Sequence, residues 1–148
     1  MMEEKIWRIT WNEYTKDAYL YGSEISFPAK DHVIFKNELM PPGTVIKSWF
    51  SSTRYQSMRI EPTLPIIDGE ARYHIVLEAS AKPKNGLLLR ILFFNRRNEE
   101  VGSRIIRDGE GDFQCPKDTF HYDIQLINGG AKEFHFSAIT IAELTDEE

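Results

Sequence analysis

A chain of 148 residues with a net charge of −5 and one cysteine, Cys115, has the length of one domain and can build a core without covalent staples. Mild acidity argues against general nucleic-acid binding, and the lone cysteine excludes an internal disulfide and a cysteine-based zinc cluster. Met1 to Thr10 carries Glu3, Glu4 and Lys5 without an apolar h-region, and no run of about 18 apolar residues occurs; the expectation is a cytoplasmic protein with no membrane span, at most peripheral at a membrane.

Residues 5–27 read as two early strands: Ile6, Arg8 and Thr10 alternate with Trp7, Ile9 and Trp11, and Tyr19-Leu20-Tyr21 precedes Gly22. His32 to Phe35 is a short strand. Leu39-Met40-Pro41-Pro42-Gly43 is a turn, since the prolines restrict the backbone and the glycine can take positive φ. Thr44 to Ser51 is a strand, with Val45, Lys47 and Trp49 on one face and Ile46, Ser48 and Phe50 on the other. Residues 52–69 are less regular: there is room for a short helix in 52–60, Pro62 and Pro65 bracket Thr63-Leu64, and Asp68-Gly69 makes a turn.

A march of strand patterns follows. Tyr73, Ile75, Leu77 and Ala79 alternate with Arg72, His74 and Glu78. Leu87, Leu89, Ile91 and Phe93 share a face opposite Leu88, Arg90, Leu92 and Phe94. Tyr122, Ile124 and Leu126 alternate with His121, Asp123 and Gln125; Phe134 and Phe136 flank His135, and Ile139 and Ile141 flank Thr140. A period of two buries one face and leaves the other available. Turn residues punctuate the runs at 83–86, 95–98, 108–111 and 128–130. No sustained 3.6-residue period, repeat or linker interrupts them. The pattern predicts an all-β antiparallel β-sandwich or jelly roll, one domain over residues 1–148 with a short acidic tail at Asp146-Glu147-Glu148.

Charge is unevenly spread. Lys82 to Arg107 holds seven basic and two acidic residues, whereas Asp108 to Glu148 holds ten acidic and two basic ones. Complementarity between neighbouring strands is the simple reading, and a polarised surface for a protein partner is the sharper one.

The chain has no Gly-x-Ser-x-Gly elbow, Cys115 precedes Pro116 with no evident activation, and the glycines lie between strands rather than ahead of a helix. His32, His74, His121 and His135 are scattered, and the last three alternate with apolar neighbours, which sets them on outward faces. A metal would need two of them to meet across strands; solvated histidines are the simpler reading. The expectation is no catalysis, no metal and no cofactor. The aromatics offer more: three tryptophans, nine phenylalanines and six tyrosines. Trp7 and Trp11, four apart, share a face in one unbroken strand, and that face is either core or a stacking platform for a sugar. Trp49 carries the same two readings. Phe94-Asn95-Arg96-Arg97-Asn98 ends a strand and opens a hairpin, either as plain turn chemistry or as a polar loop for a glycan or protein. The candidate binding residues are therefore Trp7, Trp11, Trp49, Asn95, Arg96 and Arg97.

Tyr73 to Ala79, Leu87 to Phe94 and Phe134 to Ile141 together resemble the tail of a carbohydrate-binding-module jelly roll. At closer range the chain resembles the accessory secretory protein 3 family of the Gram-positive accessory Sec system. The segments that carry this are Trp7-x-x-x-Trp11, Tyr19-Leu20-Tyr21-Gly22-Ser23, Leu39-Met40-Pro41-Pro42-Gly43-Thr44, Trp49, Pro62-x-Leu64-Pro65, Phe93-Phe94-Asn95-Arg96 and Tyr122-x-Ile124-x-Leu126, in this order and within this length. The resemblance implies a non-catalytic cytosolic protein with a fold similar to carbohydrate-binding modules. It implies two companion accessory secretory proteins and a share in exporting a glycosylated serine-rich-repeat adhesin through a dedicated motor ATPase and translocon. The competing expectation is a cytoplasmic carbohydrate-binding module that recognises glycans or glycopeptides.

Overall fold

Alternation of apolar and polar side chains resolves into ten strands in a computed structural model, which describes residues 6–11, 22–29, 31–51, 64, 70–82, 86–107 and 109–144. They are β1 Ile6–Ile9, β2 Glu24–Ala29, β3 His32–Lys36, β4 Val45–Phe50, β5 Arg72–Lys82, β6 Leu87–Phe94, β7 Glu100–Ile106, β8 Glu110–Gln114, β9 His121–Asn128 and β10 Glu133–Leu144. Every pairing is antiparallel. One sheet of six strands runs β2-β3-β10-β5-β8 with β1 also on β10, and the other of four runs β4-β9-β6-β7. This is the all-β antiparallel sandwich that the alternation predicts. Among the described residues no helix is long and apolar enough to cross a membrane. Tyr19-Leu20-Tyr21, the 52–60 helix, the two prolines around Thr63-Leu64 and the Asp68-Gly69 turn lie outside the described residues.

β10 is the hub of the large sheet. Its whole length pairs with β5, while its other edge takes β3 at Glu133 to Phe136 and β1 at Ile139 to Ala142. Phe134, Phe136, Ile139 and Ile141 all point into the core, and this needs a correction of phase. Phe136 and Ile139 are an odd number of residues apart, so strict alternation would turn one of them outward. A bulge between Phe136 and Ala138 absorbs the extra residue.

β4 carries a second bulge, between Val45 and Lys47. It breaks the expected grouping of Val45 with Lys47 and Trp49. Val45 pairs with Ile127 on the outer face of β9, Ile46 turns inward to full burial, and Lys47 and Trp49 stay inward opposite Leu126 and Ile124. Lys47 is thus a fully buried side chain, its Nζ 5.4 Å from the Trp49 ring centroid.

β7 and β8 escape the periodicity because they lie at sheet edges and bury little: Ile106 and Phe113 are their core residues. The Pro41-Pro42-Gly43 turn is held from beneath. Asn128 Nδ2 donates to the Met40 and Pro41 carbonyls at 3.2 and 3.1 Å, and Gly43, at φ +92°, donates its N–H to the Asn128 carbonyl at 2.7 Å.

Candidate functional site

The tryptophans decide first between platform and core. Trp11 and Trp49 are 2% and 1% exposed. Trp11 lies 5.7 to 6.4 Å, centroid to centroid, from Phe35, Phe134, Phe136 and Trp49. Trp49 stacks on Phe136 and donates its indole N–H to the Thr10 carbonyl at 3.2 Å. Trp7 is half-buried, packs on the core and leans on Tyr73 at 6.3 Å. Of the two readings of these tryptophans, core and stacking platform, the burial selects the core: sheets about 10 Å apart need large apolar volumes between them, and these indoles supply it. Trp7 and Trp11 do share a face, and it is the inner one.

Asn95, Arg96 and Arg97 come together at the β6–β7 hairpin. Asn95 Oδ1 accepts the Arg97 and Glu99 backbone N–H groups at 2.9 and 3.0 Å, and its Nδ2 donates to Glu99 Oε1 at 3.0 Å. Asn95 thereby builds the turn, while Arg96 and Arg97 project from it into solvent. The hairpin leans on the loop that leads into β9. Phe120 donates its N–H to the Phe94 carbonyl at 2.7 Å, Phe94 stacks on His121 at 5.0 Å, and a His121 ring nitrogen lies 2.9 Å from Asn98 Oδ1.

Between hairpin and loop opens a cleft of about 470 Å³ lined by Asn95, Arg96, Arg97, Glu99 and residues 117–120. Phe120 is 57% exposed, and the Arg96 guanidinium sits over its ring, 4.8 Å from the centroid. The cleft offers an aromatic face with a cation on it, further cations from Arg97 and Lys117, and acceptors from Glu99 and Asp118. Such a lining is chemically suited to polar or anionic groups. The sequence reading missed Phe120, which stands two residues before Tyr122, in phase with the Tyr122, Ile124, Leu126 alternation, and so carries the signature of a buried position.

The outer face of the large sheet is polar and tied to itself. Arg8 forks onto Glu78 at 3.0 and 2.8 Å, and the Thr140 hydroxyl donates to the same carboxylate. The Thr140 and Arg8 hydrogen bonds hold the Glu78 carboxyl below its ordinary range. His74 lies between Asp112 and Glu110 of β8, and hydrogen bonds to these two carboxylates raise its pKa above 6.5. His32 and His135 meet across β3 and β10 with ring nitrogens 2.9 Å apart, in a groove of about 420 Å³. His74 and His135 are outward, as expected; His121 is outward on its own sheet but only 8% exposed. Among the described residues no group of three or more His, Cys, Asp or Glu assembles in a way that holds a metal.

Comparison with known proteins narrows what such a sandwich serves. The sequence model of the family described as accessory secretory protein 3 of the accessory Sec secretory system matches residues 18–143. The accessory Sec system protein of the same name from Streptococcus gordonii is 34% identical over 130 residues, covering 88% of this chain and 82% of that protein. Among solved structures, one chain of the Glycosylation Associate Protein (Gap123) complex from Streptococcus agalactiae superposes at a TM-score of 0.87 and 36% identity, covering 95% of this chain and 45% of that one. This chain therefore spans less than half of that relative. One chain of the crystal structure of accessory secretory protein 1, 2 and 3 from Streptococcus pneumoniae superposes at 0.85 and 31% identity, covering 93% of this chain and 95% of that one. The CBM22-1 xylan-binding domain from Paenibacillus barcinonensis matches at 0.52 with 8% identity, a likeness of fold alone.

Proposed function

The chain belongs to the accessory secretory protein 3 family of the accessory Sec secretory system, and from that premise we propose that it is a non-catalytic adaptor of accessory secretion. It joins companion accessory secretory proteins in the cytoplasm, and the assembly helps deliver a glycosylated serine-rich-repeat adhesin to a dedicated motor ATPase and translocon. The observation that carries this reading is the superposition, over nearly all of both chains, on a component of a structure of accessory secretory proteins 1, 2 and 3.

Co-expression with the companion proteins of the same bacterium tests it. The expected result is one species in size-exclusion chromatography that contains all the chains and retains the adhesin's repeat region in a pull-down. Elution of this chain alone in the presence of its companions overturns the reading.

One observation favours a second reading, a module for glycans or glycopeptides: the exposed Phe120 ring beside Arg96, Asn95 and Asp118 in an open cleft. Sugar-bearing serine peptides titrated to millimolar concentration should then shift the Phe120 and Arg96 NMR signals. Unmoved signals there remove this reading and leave the first intact.

A further inference from the structure

The two outer faces of the sandwich differ in kind. On the large sheet, outward side chains satisfy one another: Arg8 with Glu78, His74 with Asp112 and Glu110, His32 with His135. The outer face of β6 and β7 is instead apolar. Leu88, Leu92 and Phe94 of β6 lie on it half-buried, and Val101 and Ile105 of β7 are 36% and 38% exposed. The register sets Ile105 opposite Arg90, Ser103 opposite Leu92 and Glu100 opposite Phe94, with Val101 at the irregularity between Gly102 and Glu100. Arg90 stands between Leu88 and Leu92 with its guanidinium held on Gln125 Oε1 at 2.8 and 2.6 Å.

The surroundings of this patch are basic. Arg96 and Arg97 stand at the hairpin tip above it, next to the two acids Glu99 and Glu100, and Arg107 follows β7 below it, within a Lys82 to Arg107 stretch of seven cations against two anions in a chain of net charge −5. The edge of β7 is partly occupied: Arg104 donates Nη1 to the Ile105 carbonyl at 2.9 Å and Nε to the Asp112 carbonyl at 3.2 Å. A partner strand adding to that edge would have to displace Arg104, so the accessible surface is the face.

We propose that the outer face of β6 and β7 is where this chain docks a companion accessory secretory protein, whose matching surface has an apolar centre and an acidic rim. The assignment rests on the adaptor reading above and names its interface. A largely apolar face edged by arginine has the anatomy of a protein interface. The basic border selects a partner surface rich in Asp and Glu and speeds encounter with it. The relatives at 31% and 36% identity were both solved in structures of such assemblies.

Affinity for the purified companions, measured by calorimetry, tests the assignment. The double variant V101E/I105E replaces two side chains already more than a third exposed, and circular dichroism and melting verify that it folds. Its binding should fall by about tenfold or more, equivalent to ~1.4 kcal/mol. S80E, on the outer face of the large sheet, should bind within about twofold of wild type, well under that threshold. R96E/R97E should slow association and weaken the dependence on salt; it carries the test alone if V101E/I105E loses its melting transition. Wild-type affinity in V101E/I105E, or in R96E/R97E where that variant stands alone, overturns the interface while the adaptor reading stands. Failure of the wild-type chain to bind any companion overturns both. A homodimer that V101E/I105E dissolves, with companion binding unchanged, assigns the face to a second copy and overturns the proposal.

Discussion

Trp11 presents its edge to Trp49, with ring centroids 6.4 Å apart and planes at 87°. The contact crosses the sandwich: Trp11 follows β1 and packs among Phe35, Phe134 and Phe136 of the large sheet, while Trp49 belongs to β4 of the small one. An aromatic pair in this geometry adds about 0.5–1.5 kcal/mol beyond the area it buries. The two sheets are joined here by the residues that a sugar-binding reading would have placed outside.

Trp49→Ala should destabilise the fold by about 3–5 kcal/mol, the cost of emptying a large buried aromatic site. Trp49→Phe keeps most of the packing but deprives the Thr10 carbonyl of its indole donor, at about 1–3 kcal/mol. Urea unfolding measures both. A Trp49→Ala midpoint equal to wild type would contradict the core placement.

His74 gives a pH signature of known sign. Its pKa is raised in the folded state by hydrogen bonds to Asp112 and Glu110. The stability it contributes is therefore complete below the unfolded value of 6.5 and fades as pH rises through the raised one. His74→Gln should flatten the melting temperature across that interval, and NMR titration of the imidazole should show the raised midpoint. An ordinary midpoint would separate His74 from its two carboxylates in solution.

Glu78 has the opposite sign. Hydrogen bonds from Thr140 and Arg8 lower its pKa, so its contribution is complete above 4.5 and is lost as pH falls through the lowered value. Thr140→Val removes the larger cause and should move the carboxyl midpoint upward in a carbon-detected titration. No movement would mean that Arg8 alone holds the carboxylate.

Gly86 has no room for a side chain. A Cβ there would lie 2.7 Å from Ala131 Cβ and 2.8 Å from the Ala131 backbone nitrogen. The segment cannot move away freely, because the Gly86 carbonyl accepts N–H groups from Gly129 and Ala131 at 2.8 and 3.2 Å. Gly86→Ala should cost about 1–3 kcal/mol in chemical denaturation. A neutral result would show that the 129–131 turn yields.

The strands that bury one clean face were legible as sequence. β6 matches the Leu87 to Phe94 alternation residue for residue, and β9 buries Tyr122, Ile124 and Leu126 as the pattern requires. Periodicity of two gives faces but not their side. Trp7 and Trp11 could thus be grouped without being placed, and only the opposite sheet decides that they fill the middle. The bulge in β10 had a signal, the change from even positions at Phe136 to odd ones at Ile139. The bulge in β4 had none, because Lys47 breaks the contrast between faces. The cleft was half-legible: Arg96 and Arg97 stood out as a charged hairpin, but Phe120 reaches them through tertiary ties, the Phe120 to Phe94 hydrogen bond and the contacts of His121 with Phe94 and Asn98.

β10 also sets the order in which the molecule can come into being. β1, β3 and β5 pair with it and not with one another, and all three leave the ribosome before it. Ile6 finds its partner only when Ala142 has emerged. Contacts so distant along the chain are slow to close and leave apolar faces open in the meantime. Stalled nascent chains that end before Glu133 should stay sensitive to protease, and those in which Leu144 has cleared the exit tunnel should not. Completion of one late strand thus acts as the trigger for the large sheet, and the quality-control machinery meets this protein first with a small sheet whose partner layer lacks its hub.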